Sequence, residues 1–513
     1  MTVDTTQEQS STGPTASGAP KGKLPGASRV RSGSRVVIIG GGPGGYEAAL
    51  SARQLGAVVT LIENKGMGGS AVLTDVVPSK TLIASAEWLH SVESADELGI
   101  VATGEPWTVS LPAINRRVLD LASRQSNDIR DRVISQGAEV LAGKGTILTA
   151  LGSNGTRIVR AYLDDGTSQD IEAEIVLVAT GATPRELPDA KPDGERILNW
   201  TQMYSMTERP EHLVVVGSGV TGAEFAGAYM GIGVKVTLVS SRDRVLPNED
   251  PDAANVIENV FARRGMTILS RSRAESVTRT DDGVLVTLAD GRTVEASHCL
   301  MAVGSIPNTE GLGLEEAGVQ LTDSGHILVD KVSRTTAFRI YAAGDVTGSM
   351  PLASVAAMQG RIAMNHALGD YVEPLDIAKV ASNIFTAPEI AHVGATQQQC
   401  DEGLDAVVTL VPLMRNPRAK MQGMTEGFIK LIAETSTRVI IGGVVVAPGA
   451  SEYILPIALA VTARMTADDM ASVFTVYPSL SGSLTEAARQ LRNSIAATDI
   501  RERLNPHDRT PNR

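Results

Sequence analysis

Residues 35–80 read RVVIIGGGPGGYEAALSARQLGAVVTLIENKGMGGSAVLTDVVPSK, and this stretch decides the fold. It opens on residues 36–39, an apolar, β-branched run short enough for a strand buried in a parallel sheet. Gly40, Gly42 and Gly45 come next as G-x-G-x-x-G, then a helical stretch to about Leu55 and a second strand, 58–62, ending at Glu63. The glycines supply a tight turn, close approach of backbone to a pyrophosphate, and close helix–strand packing. The pyrophosphate is expected on the amides of the helix N-terminus, with Glu63 accepting from a ribose hydroxyl. Alone the glycine pattern is weak. A strand before it, a helix after it and an acid at the next strand's end make it specific for a dinucleotide.

A second unit of the same kind lies downstream. Residues 213–216 form an apolar strand, Gly217, Gly219 and Gly222 repeat the spacing, and a further strand covers 234–239. Two such units in one chain imply two bound dinucleotides with electrons passing between them. The second unit ends on Ser240, Ser241 and Arg242 where strict NADH preference calls for an acid. Serine hydroxyls and an arginine fork can accept a 2′-phosphate, so NADPH is expected to be tolerated.

The bulk properties narrow the class. A chain of 513 residues, 42 % hydrophobic and 20 % charged, is an ordinary globular protein of several domains. A net charge of −12 argues against a nucleic-acid or anionic-membrane partner. Only two cysteines occur, Cys299 and Cys400, far apart, so neither a disulfide framework nor a cysteine zinc site is expected, and a reducing cytoplasm fits. Cys299 is expected just after the last strand of the second unit, and Cys400 in a polar stretch. The seven histidines show no metal-ligand spacing, so no metal is expected. No apolar run is long enough to span a membrane. Residues 1–33, rich in Ser, Thr, Gly, Pro and Lys, read as a disordered tail, and 496–513 as a C-terminal tail.

The segment after Glu63 resembles the flavoprotein disulfide reductases, the family of dihydrolipoamide dehydrogenase and glutathione reductase. That family carries G-G-T-C-x-N-x-G-C-x-P-S-K, its two cysteines forming a redox disulfide beside the flavin. Here the frame runs Gly68-Gly69-Ser70-Ala71-Val72-Leu73-Thr74-Asp75-Val76-Val77-Pro78-Ser79-Lys80. Both ends are kept, but Ala71 and Val76 stand in place of the cysteines, and neither side chain can act as a thiolate or a disulfide partner. Ala179-Thr180-Gly181-Ala182-Thr183-Pro184 resembles the family's passage into an inserted nucleotide domain, and Val303-Gly304-Ser305-Ile306-Pro307-Asn308 the passage back. Arg339 to Asp345 matches the second flavin fingerprint, with Asp345 as acceptor for ribityl hydroxyls. A helix beginning near Ala353 is expected to aim its amides at the isoalloxazine, and the run 143–145, including Gly145, to approach a ligand backbone.

The resemblance implies an α/β chain with two Rossmann-like domains and an α+β dimerisation domain. The expected boundaries are 34–184 and 306–375 for FAD, 185–305 for NAD(P), and 376–495 for dimerisation. It places Lys80 beside the flavin and Glu224 near the nicotinamide as its partner. Family members supply a His-Pro segment and a glutamate to the partner subunit's site. Here Tyr477 replaces that histidine and Gly482 replaces or neighbours the glutamate. Thiols and their proton acceptor are thus lost together while both nucleotide sites remain, which points to a changed substrate. The expectation is hydride transfer from NADPH or NADH to FAD and on to a quinone or dye in a homodimer, with Tyr477 as a hydrogen-bond donor to the quinone. Within the family the chain is most similar to the actinobacterial quinone reductases that lack the dithiol. Two alternatives stay open: a soluble pyridine-nucleotide transhydrogenase, which also carries Tyr-Pro, and a non-catalytic flavin-binding redox sensor.

Overall fold

Strand Arg35–Ile39 lies third in a seven-stranded sheet, because its apolar side chains are covered on both faces. The sheet runs 340–342, 175–178, 35–39, 58–63, 139–151, 157–163, 168–173. The first five strands are parallel and the last two add on as an antiparallel meander. The computed structural model describes residues 33–93, 95–101, 104 and 107–504, so the expected N-terminal tail lies outside the described residues apart from Gly33.

Ile340–Ala342 arrives from far downstream and pairs Tyr341 with Leu177, so the chain leaves this sheet and returns to it. Helices Pro43–Gln54 and Ala353–Ala367 cross on one face at a pair of glycines. A Cβ on Gly360 would stand 2.1 Å from the Gly44 carbonyl oxygen, so only glycine permits that approach.

The excursion builds a second parallel sheet ordered 267–269, 235–239, 212–216, 298–301, 197–199. Cys299 is not beyond this sheet, as its sequence position suggested, but inside it. It pairs with Val214 and Ile197 and is fully buried, an apolar filler in the strand His298–Met301. Ala182–Pro184 and Ser305–Pro307 pair antiparallel, so the two passages between domains form one short ribbon.

The last unit is a five-stranded antiparallel sheet, 381–384, 389–394, 440–447, 428–434, 406–412, covered by helices. Its final helix, Gly482–Leu504, runs through the point where a tail was expected to begin at 496. One apolar cluster joins all three units: Leu82 and Ile83 of helix Val76–Glu93 meet Phe225 and Tyr229 of the second domain, and Ile384 and Phe428 of the third. This shared core holds the helix carrying Lys80 against the helix carrying Glu224. Among the described residues, no helix is long and apolar enough to cross a membrane.

Candidate active site

The two glycine fingerprints separate what the protein needs from what a ligand needs. Gly40 and Gly217 have φ of +106° and +111°, and a Cβ would come within 2.3 Å of the Ala179 oxygen or 2.2 Å of the Ala302 oxygen. At Gly45 and Gly222 it would strike the carbonyl of the first glycine at 1.9 and 1.8 Å. These four glycines are required by internal packing. The middle ones are not. Gly42 and Gly219 have φ of −66° and −72°, which any residue adopts. A Cβ on Gly42 would meet nothing nearer than 4.0 Å, and one on Gly219 nothing at all within 4 Å. The space they leave is on the outside, at the start of helices Pro43–Gln54 and Val220–Gly231, neither of which has a side-chain cap. Open backbone amides and a missing side chain at that spot suit a pyrophosphate, so the residues present fit two dinucleotides.

Glu63 closes the first site. Its carboxylate accepts from the amides of Gly41 and Lys65, each at 2.6 Å, which holds it against the glycine turn. Ser240, its counterpart at the second site, faces inward. It is fully buried, with its Oγ 2.6 Å from the Ser218 hydroxyl and accepting from the Arg242 amide at 3.1 Å. The expectation that the Ser240 hydroxyl meets a 2′-phosphate is therefore corrected: a side chain this short is consumed bracing the turn. Ser241 and Arg242 are exposed, and the Arg242 guanidinium has no ion-pair partner among the described residues.

Between the two sites Lys80 donates to Glu224 at 2.8 Å, and the other Glu224 oxygen accepts from the Phe385 amide at 2.8 Å. The Lys80 ammonium also lies 5.0 Å from the centre of the Phe385 ring. Glu224 is almost fully buried, so three units of the chain converge on one desolvated carboxylate. Other expected positions surround the first fingerprint. Gly69, φ +56°, would push a Cβ within 2.9 Å of the Gly42 Cα, and exposed Ser70 comes directly after it. Thr180 Oγ1 donates to the Asn308 carbonyl at 2.7 Å and Gly181 accepts from the Asn308 amide, so this segment braces the domain passage. Gly304 accepts from Arg185 in the same passage. Ala353 opens a helix with no side-chain cap, and burial raises the Asp345 carboxyl above its ordinary pKa. Gly145 faces inward instead: a Cβ would press on Ile39 and Ile62 at 3.1–3.2 Å, so sheet packing explains that glycine.

Two further polar positions near this pair were not singled out from the sequence. Asp75 directly precedes the helix Val76–Glu93, where its carbonyl accepts from the Ser79 amide at 2.8 Å. Its half-buried carboxylate makes no hydrogen bond or ion pair among the described residues. Burial above all lifts its pKa to about 6, against the attraction of Lys80 and with the repulsion of Glu224 and Asp345. Tyr204, 3 % exposed, brings a hydroxyl close to Ser79 that finds no hydrogen-bond partner of normal geometry. Asp75 was legible as a carboxylate in a motif position that carries glycine; nothing local marked Tyr204.

Tyr477 is not part of this cluster within one chain. It is 81 % exposed on the C-terminal unit, beside exposed Phe474 and Val476. Nor are there thiols here, since Cys299 is sealed in its sheet, where burial pushes its pKa far up, and Cys400 lies on a short helix of the C-terminal unit.

Comparison with known proteins decides the family. The family model for pyridine nucleotide-disulphide oxidoreductases matches residues 34–360, and that for their dimerisation domain matches 380–488. The chain belongs to this family. A Mycobacterium tuberculosis protein named NAD(P)H dehydrogenase (quinone) is 53 % identical over 92 % of the chain and 97 % of its own length. A dihydrolipoyl dehydrogenase of Bacillus subtilis is 33 % identical over 88 % and 95 %. In three dimensions, the crystal structure of LpdA from M. tuberculosis superposes with a TM-score of 0.86 at 54 % identity, covering 89 % of this chain and 99 % of that one. The HOCl-induced flavoprotein disulfide reductase RclA of Escherichia coli gives 0.77 at 25 % identity, covering 89 % and 99 %. Within the pyridine nucleotide-disulphide oxidoreductase motif, this chain holds Ala71 and Val76 at the disulphide positions.

Proposed function

We propose that the chain is an FAD-dependent NAD(P)H:quinone oxidoreductase, cytoplasmic and homodimeric, working without disulfide chemistry. The observation that carries this reading is the Lys80–Glu224 pair held between two intact dinucleotide cradles, with alanine and valine where thiols would stand. Bound FAD would relay two electrons from the nicotinamide to the acceptor. The chain's own residues do the rest. The middle glycines admit the pyrophosphates, Glu63 closes the first turn, and Asp345 accepts from the flavin side chain. Lys80, neutralised by Glu224, keeps a cation at the junction of the two ligands without leaving a net charge out of water. Ala71 and Val76 offer apolar surface to a flat acceptor. The high identity to a relative named as a quinone dehydrogenase supports the same acceptor class. The exposed apolar run of Phe474, Val476 and Tyr477 on a family dimerisation domain supports a second copy as its cover. Tyr477 would then serve the second copy's site.

The test is direct. Purified protein should carry one FAD per chain, be bleached anaerobically by NADPH, and be reoxidised by a benzoquinone, with lipoamide and glutathione disulfide inert. Replacing Cys299 and Cys400 by serine together should leave quinone turnover within about twofold, since neither thiol lies at the site. A folded protein that turns over only with disulfides, or loses quinone turnover with the cysteines, would overturn the reading.

A further inference from the structure

The loss of the family's thiols removes an electron carrier, and the loss of its histidine removes a proton carrier. A quinone acceptor replaces the need for the first but not for the second. Reduction to a hydroquinone takes up a hydride and a proton, and a positioned side chain can supply that proton. Among the described residues, Asp75 is the carboxyl inside the motif segment itself. Asp75 sits between Ala71 and Val76, the two positions left vacant by thiol chemistry, its amide bonded to the Ser70 carbonyl at 2.8 Å. Its carboxylate is taken partly out of water and given no donor.

The surroundings are the redox site itself. Lys80 and Ser79 lie on the helix that Asp75 begins, Glu224 and Tyr204 face it from the nucleotide domain, and Asp345 from the returning flavin segment. The one cation among them, Lys80, is already claimed by Glu224 at 2.8 Å. The Tyr204 hydroxyl, buried and unpartnered, needs a hydrogen-bonding molecule that the protein does not supply. An unpaired carboxyl and an orphaned hydroxyl in one desolvated cluster are what an ordered water, and a proton path through it, require.

We infer that Asp75 is the proton donor for acceptor reduction, with Tyr204 as a positioning residue that holds the water behind it; this rests on the quinone-reductase reading. In the step, the hydride that originates on NAD(P)H forms a new O–H bond at one quinone oxygen. The O–H bond of the Asp75 carboxyl breaks and its proton passes to the other quinone oxygen. Water then returns a proton to the carboxylate, so each cycle consumes one hydride and one proton. Burial and the nearby carboxylates keep the Asp75 proton on up to about pH 6, within range of a general acid working near neutrality.

The experiment compares a benzoquinone with ferricyanide, which takes electrons and no protons, in wild type, Asp75→Asn and Asp75→Gly, the last restoring the family's own residue. For wild type, quinone turnover should fall as pH rises through about 6 while ferricyanide turnover shows no such limb. In both variants the quinone-to-ferricyanide ratio should drop by about tenfold or more, and the pH limb should disappear. A readout independent of turnover is the visible spectrum of bound flavin, which should titrate with a midpoint near 6 in wild type and not in Asp75→Asn. Tyr204→Phe should shift that midpoint while retaining it. Folded, flavin-loaded variants that keep both the ratio and the limb would overturn the inference. A wild type that reduces ferricyanide but no quinone at any pH would instead overturn the quinone reading, and this inference with it.

Discussion

Lys430 and Asp75 are both charged groups withdrawn from water, and the protein treats them in opposite ways. Lys430 is 1 % exposed, and its ammonium donates to both oxygens of Asp250, at 2.9 and 2.7 Å, and to Asp252 at 2.7 Å. Asp250 in turn caps the helix Pro251–Arg263, accepting from the Asp252 and Ala253 amides. His392 and Glu249, 3.0 Å apart, lie beside this network. Every ammonium proton has a partner, and the result is a latch between the nucleotide domain and the C-terminal sheet. Asp75 has none of this. The difference suggests where to look for function: Lys430, which joins two domains, is saturated, whereas a carboxylate withdrawn from water and left without a partner is a candidate to face a ligand.

The largest expected effect tests the saturated side. Lys430→Met leaves the buried Asp250 carboxylate without its cation beside a half-exposed Asp252, and should destabilise the folded chain by about 3 kcal/mol. Denaturant unfolding measures it, and adding Asp252→Asn to the variant should recover part of the loss. A change below about 1 kcal/mol would mean that water reaches the latch and that its pairing decides little.

Next comes the Lys80–Glu224 pair, which belongs to both categories, being saturated and yet inside the site. Glu224→Gln keeps the volume and a carbonyl for the Phe385 amide but leaves Lys80 unneutralised. Anaerobic stopped-flow should show NADPH bleaching the flavin on the order of 100-fold more slowly, the scale of a small misplacement between reacting groups. If flavin reduction is unaffected while the protein is destabilised, the pair is another latch.

Much of this was legible in the sequence. The strands and the two glycine fingerprints derive from short apolar runs and glycine spacing, which are local properties, while the return to the first sheet was legible through the family's second flavin fingerprint at 339–345. The partnership of Lys80 with Glu224 was legible only through the family frame, because the residues are 144 apart and meet through the apolar cluster that contains Leu82 and Phe225. What could not be read is orientation. Ser240 stands where an acid reads the ribose, yet it turns inward to Ser218, a choice set by the depth of the strand end. Cys299 looked terminal because the strand His298–Met301 ends two residues after it. Asp75 and Tyr204 meet only once the helix carrying Lys80 packs on the nucleotide domain.

A smaller effect measures how much the unpaired carboxylate weakens the fold. Burial raises the Asp75 pKa above its unfolded value, so the contribution is unpenalised below about pH 4 and a cost appears as pH rises through about 6. Asp75→Asn should therefore be more stable than wild type at pH 8 by about 1–2 kcal/mol, allowing for partial exposure, and equal to it at pH 4. Thermal melts of the flavin-loaded proteins across that range test the sign. A variant less stable at pH 8 would show that Asp75 has a partner in solution, and the contrast with Lys430 would collapse.

The smallest effect concerns an exposed charge without an ion-pair partner among the described residues, Arg242. Its neighbours on the turn are engaged: Ser240 braces Ser218, and Asp243 pairs with Arg271 at 2.8 Å. The Arg242 guanidinium extends from an exposed turn with no carboxylate to meet it, at the strand end where the ribose of a bound nucleotide is read. A 2′-phosphate would supply the missing partner, through charge-assisted hydrogen bonds in a site open to solvent. Exposure limits the gain, so Arg242→Ala should raise KM for NADPH by roughly fivefold relative to KM for NADH, about 1 kcal/mol. The ratio should shrink toward one in high salt, because the contact is screened. Equal effects on both nucleotides would mean that Arg242 is an ordinary surface cation, and that an unpaired charge in this protein marks a ligand only when it is also withdrawn from water.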